Sequence, residues 1–180
     1  MYKKIVGAVI LVGIMSGCVN RDEIYANPPT ELVEYVERLM PEAEKFVNEN
    51  ESIALENGIP LTEKQLTIAE NVGVKHPEKI RVYYVKELPS PKDPELLTLA
   101  KEYDYSSPNM VAYTYGHGIW IKQSYKNDMK LLSHELIHVR QSEQLGKREL
   151  TKQYLMQLFI YGYRNAPLEV EAYNEEGDYI

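Results

Sequence analysis

The chain has 180 residues, of which 44% are hydrophobic and 26% are charged, a balance typical of one folded domain with a single core. Its formal net charge is −7, and no lysine- or arginine-rich stripe occurs along it. The charge excludes the basic surface that contacts with phosphate backbones require, so we expect no nucleic-acid partner.

The N-terminus has the pattern of a secretory signal. Two lysines, Lys3 and Lys4, precede an apolar run of eleven residues that ends at Met15. A transmembrane helix needs about 20 apolar residues, so this run is too short to span a bilayer. We therefore predict a signal peptide over residues 1–17 and export of the mature protein.

Cys18 is the only cysteine, and it directly follows Met15-Ser16-Gly17. This ending resembles the lipobox of prokaryotic lipoproteins, although Met15 stands where that motif usually has leucine. The resemblance implies that Cys18 becomes the lipidated first residue and anchors a cell-envelope lipoprotein to a membrane. The alternatives are a buried thiol or an incidental cysteine at an ordinary cleavage site. Because no second cysteine exists, any metal must be held by histidine and carboxylate side chains.

The mature chain is predicted to begin with a tether. Residues 20–29 have no helical or strand period and contain two consecutive prolines, so we assign 18–29 to the lipidated cysteine and its tether. The folded domain is then predicted over 30–180.

The first half of the domain is predicted to be mainly helical. Hydrophobic spacing over 30–55 predicts two helices or one bent helix, since Pro41 interrupts the pattern. A third helix is predicted over 62–74, where a capping-box sequence begins at Thr62 and Gly73 marks the end.

The middle of the chain carries strand patterns. Alternating β-branched and aromatic residues predict a strand over 79–88, and a helix follows over 90–103. Two extended runs over 110–125 are joined by a hinge at 116–118, and everything from residue 127 has helical spacing. Asn127 and Asp128 are predicted to mark the start of the first of these helices, and Gly146 its end. Strands in the middle followed by a helical end predict an α+β fold with a small sheet against helices.

The segment 131–141, LLSHELIHVRQ, places two histidines four residues apart around a glutamate. Residues i and i+4 of a helix share one face, so His134 and His138 can direct both imidazoles at one point. Glu135 lies about 100° round from His134, beside that point. Zn²⁺ suits this arrangement, because neutral imidazoles bind it at about 2.0–2.1 Å and the carboxylate can act as general base. The other interpretation is two core histidines bonded to backbone, with Glu135 solvated.

A catalytic zinc takes three protein ligands and keeps one position open. The remaining histidines are His76 and His117, but Glu169 and Glu171 are better candidates. They lie at the start of a predicted helix, which could present one carboxylate to the metal. Because they are about 200° apart on a regular helix, they cannot both bind the same ion.

The sequence HELIHVRQ, followed by a helix and PLEVEAY, resembles the gluzincin branch of the zincin metallopeptidases, whose second helix carries a Glu-x-x-Ala-Asp-like signature. The resemblance covers residues 110–176. It implies that Glu169 rather than Glu171 is the third ligand, with Ala172 matching the signature. Tyr173 departs from it, because it stands where the family has an aspartate that orients a ligand histidine.

The resemblance also implies a zincin-like fold: a small, mainly antiparallel sheet, an edge strand over the active-site helix, and a helical C-terminal part. The expected edge strand is GHGIWIKQSY, residues 116–125, which would pair with an extended substrate. Gly116 and Gly118 would admit a second backbone, or they simply form a hairpin turn.

Several side chains are candidates for stabilising the oxyanion that forms during hydrolysis. His117 could lie at the rim of the cleft, or it is an exposed turn residue. Three tyrosines are candidates for the same role: Tyr154, Tyr161 and Tyr163.

We therefore expect a zinc-dependent peptidase that acts on a peptide or protein substrate through metal-activated water, with Glu135 as general base. The alternative is a non-catalytic, lipid-anchored zincin-fold binding module with a structural zinc or none. Glu135 argues against it, because a purely structural site needs no base. A third possibility is a lipoprotein inhibitor or assembly factor in which HExxH occurs by chance.

Overall fold

A computed structural model describes residues 20–180, so the predicted signal peptide and Cys18 lie outside the described residues. The elements, in chain order, are α1 (Arg21–Ala26), α2 (Thr30–Asn57), β1 (Ile59–Pro60), α3 (Glu63–Val72), β2 (Arg81–Val85), α4 (Pro94–Glu102), β3 (Ala112–Tyr115), β4 (Gly118–Lys122), α5 (Met129–Leu145), α6 (Lys147–Tyr161) and α7 (Pro167–Glu175). None of these helices is both long enough and apolar enough to cross a membrane. The predicted α+β class is confirmed.

The four strands form one sheet in the order β1-β2-β4-β3. Strand β2 pairs with β4 in parallel, whereas β1 with β2 and β3 with β4 are antiparallel. The prediction of a mainly antiparallel sheet is therefore wrong, because the sheet is mixed. The connection between β2 and β4 contains α4 and β3, and a crossover of this length is what parallel neighbours require.

The predicted edge strand is also misplaced. Strand β4 lies between β2 and β3, so it is an interior strand, and β3 occupies the edge. Gly116 has φ +58° in the turn between them, which is the hairpin alternative. Gly118 lies against α2, where an added Cβ would be 2.8 Å from the Cβ of Ala54. The close backbone approach at this glycine is therefore made by a helix of the same chain.

The two faces of the sheet pack against different helices, because successive strand residues point to opposite sides. Ile119 and Ile121 lie with Leu136 and Ile137 of α5 in the main core, to which α3 and α7 also contribute. Trp120 lies on the other face with Ala54 of α2. The sheet is thus a middle layer between α2 and the helices that carry the candidate site.

Two helices begin and end where the sequence predicts. Helix α3 starts with a capping box between Thr62 and Gln65, and it ends at Gly73 in the left-handed region. Helix α5 starts at Asp128, whose carboxylate accepts a hydrogen bond from the Leu131 amide at 2.9 Å. Gly146, with φ +82°, separates it from α6.

For the N-terminal part, the structure decides between two alternatives and corrects one expectation. Helix α2 continues through Pro41, so the segment is one helix and not two. Pro41 is exposed. Part of the expected tether is the helix α1, which packs on α6. Its contacts there include the edge-on packing of Tyr25 against Tyr161 and a hydrogen bond from Tyr161 to Asp22. These tertiary contacts hold a helix too short to be stable alone.

Candidate metal centre

Helix α5 brings the two predicted histidine ligands together at its buried face. The Nε2 atoms of His134 and His138 are 3.2 Å apart, and both side chains are largely shielded from solvent. The spacing of four residues produces this convergence, because the side chains lie one above the other on the helix.

The third donor is Glu169, in the first turn of α7. Its Oε2 lies 3.4 Å from Nε2 of His134, and its Oε1 lies 3.6 Å from Nε2 of His138. Helix α7 is held here by Gln141, whose side-chain amide donates to the Leu168 carbonyl at 3.0 Å. The resemblance implies a third ligand at this residue, and the fold brings it to the two histidines.

The donor set fits a zinc ion. Ligand atoms around tetrahedral zinc, each at about 2.0–2.1 Å from it, lie about 3.3 Å from one another. Here the two Nε2 atoms are 3.2 Å apart, and they lie 3.4 and 3.6 Å from the two different oxygens of Glu169. One ligand atom from each of the three residues lies within 4.8 Å of the other two. Oε2 of Glu169 is buried and has no hydrogen-bond partner among residues 20–180. A buried carboxylate oxygen without a donor is costly, and a cation would satisfy it.

The other ring nitrogen of each histidine is also engaged, which leaves Nε2 for the metal. Nδ1 of His134 lies 2.9 Å from Oε2 of Glu176, and Nδ1 of His138 lies 2.8 Å from Oε1 of Gln141. Such partners fix the ring orientation and the tautomer of a ligand histidine. Tyr173 does not take the expected aspartate's role: its ring packs against the His134 ring, with centroids 4.7 Å apart.

Glu176 and Gln141 were missed by the sequence analysis, although each carries a helical signal. Glu176, the residue that directly follows α7, comes seven residues after Glu169, or about two turns, so the two side chains share one face. Gln141 follows His138 by three residues on α5, which is also a neighbouring position on a helix.

Charge coupling within the cluster is strong. Burial alone would raise the pKa of Glu169, but the nearby charges of His138 and His134 outweigh burial and hold that pKa well below its usual range. Burial alone would lower the pKa of His138, but the Glu169 carboxylate outweighs it and raises the pKa to about 9. The carboxylate therefore stays ionised, and a metal must displace a proton from His138 at neutral pH.

Glu135 is buried beside the cluster and contacts the edge strand. Its Oε2 lies 2.6 Å from the hydroxyl of Thr114 in β3, which donates to it. Burial raises the pKa of Glu135, although the charges of His134 and His138 and the Thr114 hydrogen bond act against it. A carboxylate with a raised pKa is better able to hold a proton and then return it.

Two predicted candidates lie elsewhere. Glu171, the alternative ligand, accepts hydrogen bonds from Arg140 at 2.5 Å and from Gln141 at 3.0 Å, so it joins α7 to α5. His117 is bonded through Nε2 to Glu143 at 2.9 Å, and its backbone amide donates to Glu51. The structure therefore gives His117 different partners from those of the donor cluster.

The three tyrosines that are candidates for stabilising the oxyanion lie in different environments. Tyr154 donates from its hydroxyl to Oε1 of Glu169 at 2.8 Å, so it orients the candidate ligand. Tyr161 donates to Asp22 of α1 at 2.7 Å and is engaged there. Tyr163 lines the same cavity as Glu135 and Glu169. Burial and the charge of Glu169 raise its pKa far above the usual range, so its hydroxyl remains a donor.

Comparison of the chain with protein-family models, with curated proteins and with solved structures gives no match. The assignment of a function therefore depends on the side chains themselves and on the resemblance of their motif.

Proposed function

We propose that this chain is a zinc-dependent peptidase of zincin-like architecture, with His134, His138 and Glu169 as the metal ligands. The observation that carries the proposal is the convergence of two imidazole Nε2 atoms on the Glu169 carboxylate, with one ligand atom from each residue within 4.8 Å of the others and one buried carboxylate oxygen without a hydrogen-bond partner among the described residues. Within the part of the chain that the structure describes, no other group of three such side chains converges in this way.

Bound zinc would polarise the substrate carbonyl and lower the pKa of a water molecule toward about 7. The chain's own residues supply the rest. Glu176 and Gln141 hold the imidazoles of His134 and His138 in orientation through their Nδ1 atoms. Tyr154 holds the carboxylate of Glu169 through Oε1.

Glu135 is the proposed general base and, in the second step, the general acid. Water adds its oxygen to the carbonyl carbon of the scissile bond, and Glu135 accepts the proton that the water releases. Glu135 then gives this proton to the leaving nitrogen as the C–N bond breaks, which yields one amine and one carboxylic acid. The second proton of the water remains on the acid and is released when the acid ionises. Thr114 is a positioning residue: its hydroxyl occupies Oε2 of Glu135 and leaves the other oxygen for the transfer. Tyr163, protonated and at the cavity wall, is the proposed donor to the oxyanion.

The edge strand β3 is the proposed binding surface for a peptide or protein substrate. Val111 accepts a hydrogen bond from the Lys122 amide, and alternation along the antiparallel pair then directs the backbone groups of Ala112 and Thr114 away from β4. These groups border the cavity that contains Glu135. An extended substrate can pair with them by β-augmentation.

The test is metal analysis combined with cleavage of a broad peptide library. The wild-type domain should carry about one zinc per chain and cleave peptides. Glu135→Gln should keep the zinc and lose at least ~10²-fold in kcat/KM. Glu143→Gln, on the same helix but bonded to His117, is the matched control and should keep both properties.

A zinc-loaded wild-type chain that cleaves no peptide would overturn the peptidase proposal and favour the zincin-fold binding module. Zinc content unaffected by loss of the histidines would overturn the metal centre as well.

We also propose that the protein is exported and held at a membrane of the cell envelope by a lipid on Cys18. The support is the sequence pattern of residues 1–18. Cys18→Ser should release the protein from membrane fractions, because the lipid chains provide the anchor. A Cys18→Ser protein that still sediments with membranes would contradict this.

A further inference from the structure

Helix α6 carries a buried glutamine, Gln157, that is not one of the candidate metal ligands or their direct partners. Its side chain is only 3% exposed. A side-chain amide has an acceptor oxygen and N–H donors, so a buried glutamine needs partners of both kinds. The partners of Gln157 lie in α7 and in α1, two helices at opposite ends of the described chain. Gln157 therefore connects the N-terminal helix with the helix that carries Glu169.

The oxygen of Gln157 holds the first turn of α7. The Leu168 amide donates to Oε1 of Gln157 at 3.0 Å. The N-cap residue of α7, Ala166, makes no side-chain hydrogen bond to the helix, so Gln157 satisfies an amide that the helix itself leaves without a partner. Gln141 binds the carbonyl of the same leucine at 3.0 Å. Side chains from α5 and α6 thus hold both backbone groups of Leu168, directly before Glu169.

The nitrogen of Gln157 contacts α1. Nε2 donates to the Tyr25 hydroxyl at 3.1 Å. Because the Leu168 amide can only donate, it requires the oxygen of Gln157 on its side and leaves the nitrogen for Tyr25. The Tyr25 ring packs against an apolar cluster of α2 and α6. Helix α1 lies outside residues 110–176, so this contact is a feature of the chain beyond the region that resembles the zincins.

We propose that α1 and the metal centre are coupled, with Gln157 as the positioning residue between them. Docked Tyr25 holds Gln157, and Gln157 holds the turn that presents Glu169 to the histidines. The inference rests on the metal centre of the proposed function and adds control of its zinc affinity by the N-terminal helix. Such coupling is reciprocal: if docked α1 strengthens zinc binding, bound zinc strengthens the docking of α1 by the same factor.

The first test measures the zinc affinity of the full chain by competition with a chelator. Tyr25→Phe keeps the ring and loses the hydroxyl. It should weaken zinc binding about 3- to 10-fold, less than a change in a residue that is bonded directly to a ligand. Tyr161→Phe is the matched control, because it removes a hydroxyl from the same interface of α1 with α6, but one that is bonded to Asp22. It should keep wild-type affinity.

Variants of α6 test whether Gln157 transmits the effect. Gln157→Leu removes both hydrogen bonds at similar size and should weaken zinc binding about tenfold. Gln153→Leu, on the same helix, loses a bond to Glu149 and should keep wild-type affinity. Tyr25→Phe combined with Gln157→Leu should lose no more than Gln157→Leu alone, because both changes break the same connection. If Gln157→Leu fails to fold, the comparison of Tyr25→Phe with Tyr161→Phe still decides.

Hydrogen exchange measures the coupling in the other direction. In the wild-type chain, bound zinc should slow exchange of the α1 amides about 3- to 10-fold. In Tyr25→Phe, zinc should have little effect on these amides. A hydrogen bond that only stabilised the fold would change the exchange rates of α1 equally with and without zinc.

Wild-type zinc affinity in both Tyr25→Phe and Gln157→Leu would overturn this inference and leave the metal centre intact. Equal losses in Tyr25→Phe and Tyr161→Phe would also overturn it, because they would indicate a general loosening of α1. A wild-type chain that binds no zinc would instead overturn the metal centre of the proposed function.

Discussion

The chain has four histidines, and the fold gathers them into two pairs, each in contact with glutamate. One pair is His134 and His138 on α5, with ring centroids 4.8 Å apart. The other is His76 and His117, with centroids 6.5 Å apart. The residue types are the same, so a comparison of the two pairs shows what distinguishes a metal centre from a hydrogen-bonded cluster.

The difference lies in what each glutamate already binds. Glu143 accepts from the backbone amides of Lys75 and His76 and also contacts Nε2 of His117, so both of its oxygens have partners. Glu169 has one oxygen, Oε2, with no hydrogen-bond partner among the described residues. Nε2 of His134 lies 3.4 Å from that oxygen, and Nε2 of His138 lies 3.6 Å from the other. A candidate metal centre is therefore identified by ligand atoms that converge and include one without another partner. The presence of histidine and glutamate side chains is not sufficient.

The largest expected effect is on zinc content, and it should distinguish the two histidine pairs. His134→Ala/His138→Ala should reduce the zinc content of the purified domain from about one per chain to none, because two of the three ligands are removed. His76→Ala/His117→Ala should retain the zinc. The measurement is metal analysis after dialysis, and a double variant of α5 that keeps its zinc would contradict the proposed centre.

A smaller effect, on zinc affinity, should distinguish Glu169 from Glu171 in α7. Glu169→Gln should weaken zinc binding markedly, since an amide oxygen carries no charge to offset that of the metal. Glu171→Gln should keep wild-type affinity, because its carboxylate contacts Arg140 and Gln141. Competition with a chelator measures both affinities. If the two results were exchanged, the register of the third ligand would be wrong although the histidine pair would stand.

The two histidine pairs also differ in how well the sequence predicts them. The i, i+4 spacing in α5 and the cap at Asp128 are local signals, and both predict the structure correctly. His117 carries no such signal, because its partners Glu51 and Glu143 are 66 and 26 residues away. The role of an isolated histidine depends on long-range packing, which neither spacing nor capping encodes.

The same limit explains the errors in the fold. The period-two patterns identify the extended runs around the 116–118 hinge, but strand order depends on which edges meet in space. Strand β4 pairs with β2 across a long connection and so becomes an interior strand. Helix α1 depends on contacts of Tyr25 and Asp22 with α6, and these contacts have no local sequence signature.

The residue that orients His134 should also affect zinc affinity, to a smaller extent than the ligands themselves. Glu176→Gln should weaken zinc affinity about 10–100-fold, because Oε2 of Glu176 lies against Nδ1 of His134. Glu175→Gln is the matched control on the neighbouring position, since its partners are Arg140 and Tyr179. Chelator competition should therefore give near wild-type affinity for Glu175→Gln. Equal losses in the two variants would indicate a general weakening of α7.

The smallest effect is the pH dependence of zinc affinity, and its sign follows from His138. The neighbouring Glu169 outweighs burial and raises the pKa of His138 to about 9, so in the metal-free protein this imidazole is protonated at neutral pH. Zinc binds only the neutral ring, so a proton must leave as the metal enters. Affinity should then increase on the order of tenfold per pH unit as pH rises from about 6.5 to 8, and fall as pH decreases.

Calorimetry in two buffers of different ionisation enthalpy should detect release of about one proton per zinc. The His76→Ala/His117→Ala variant should show the same slope, because that pair lies outside the ligand set. An affinity that does not change over this pH range would mean that His138 is already neutral, and the strong coupling to Glu169 would have to be abandoned.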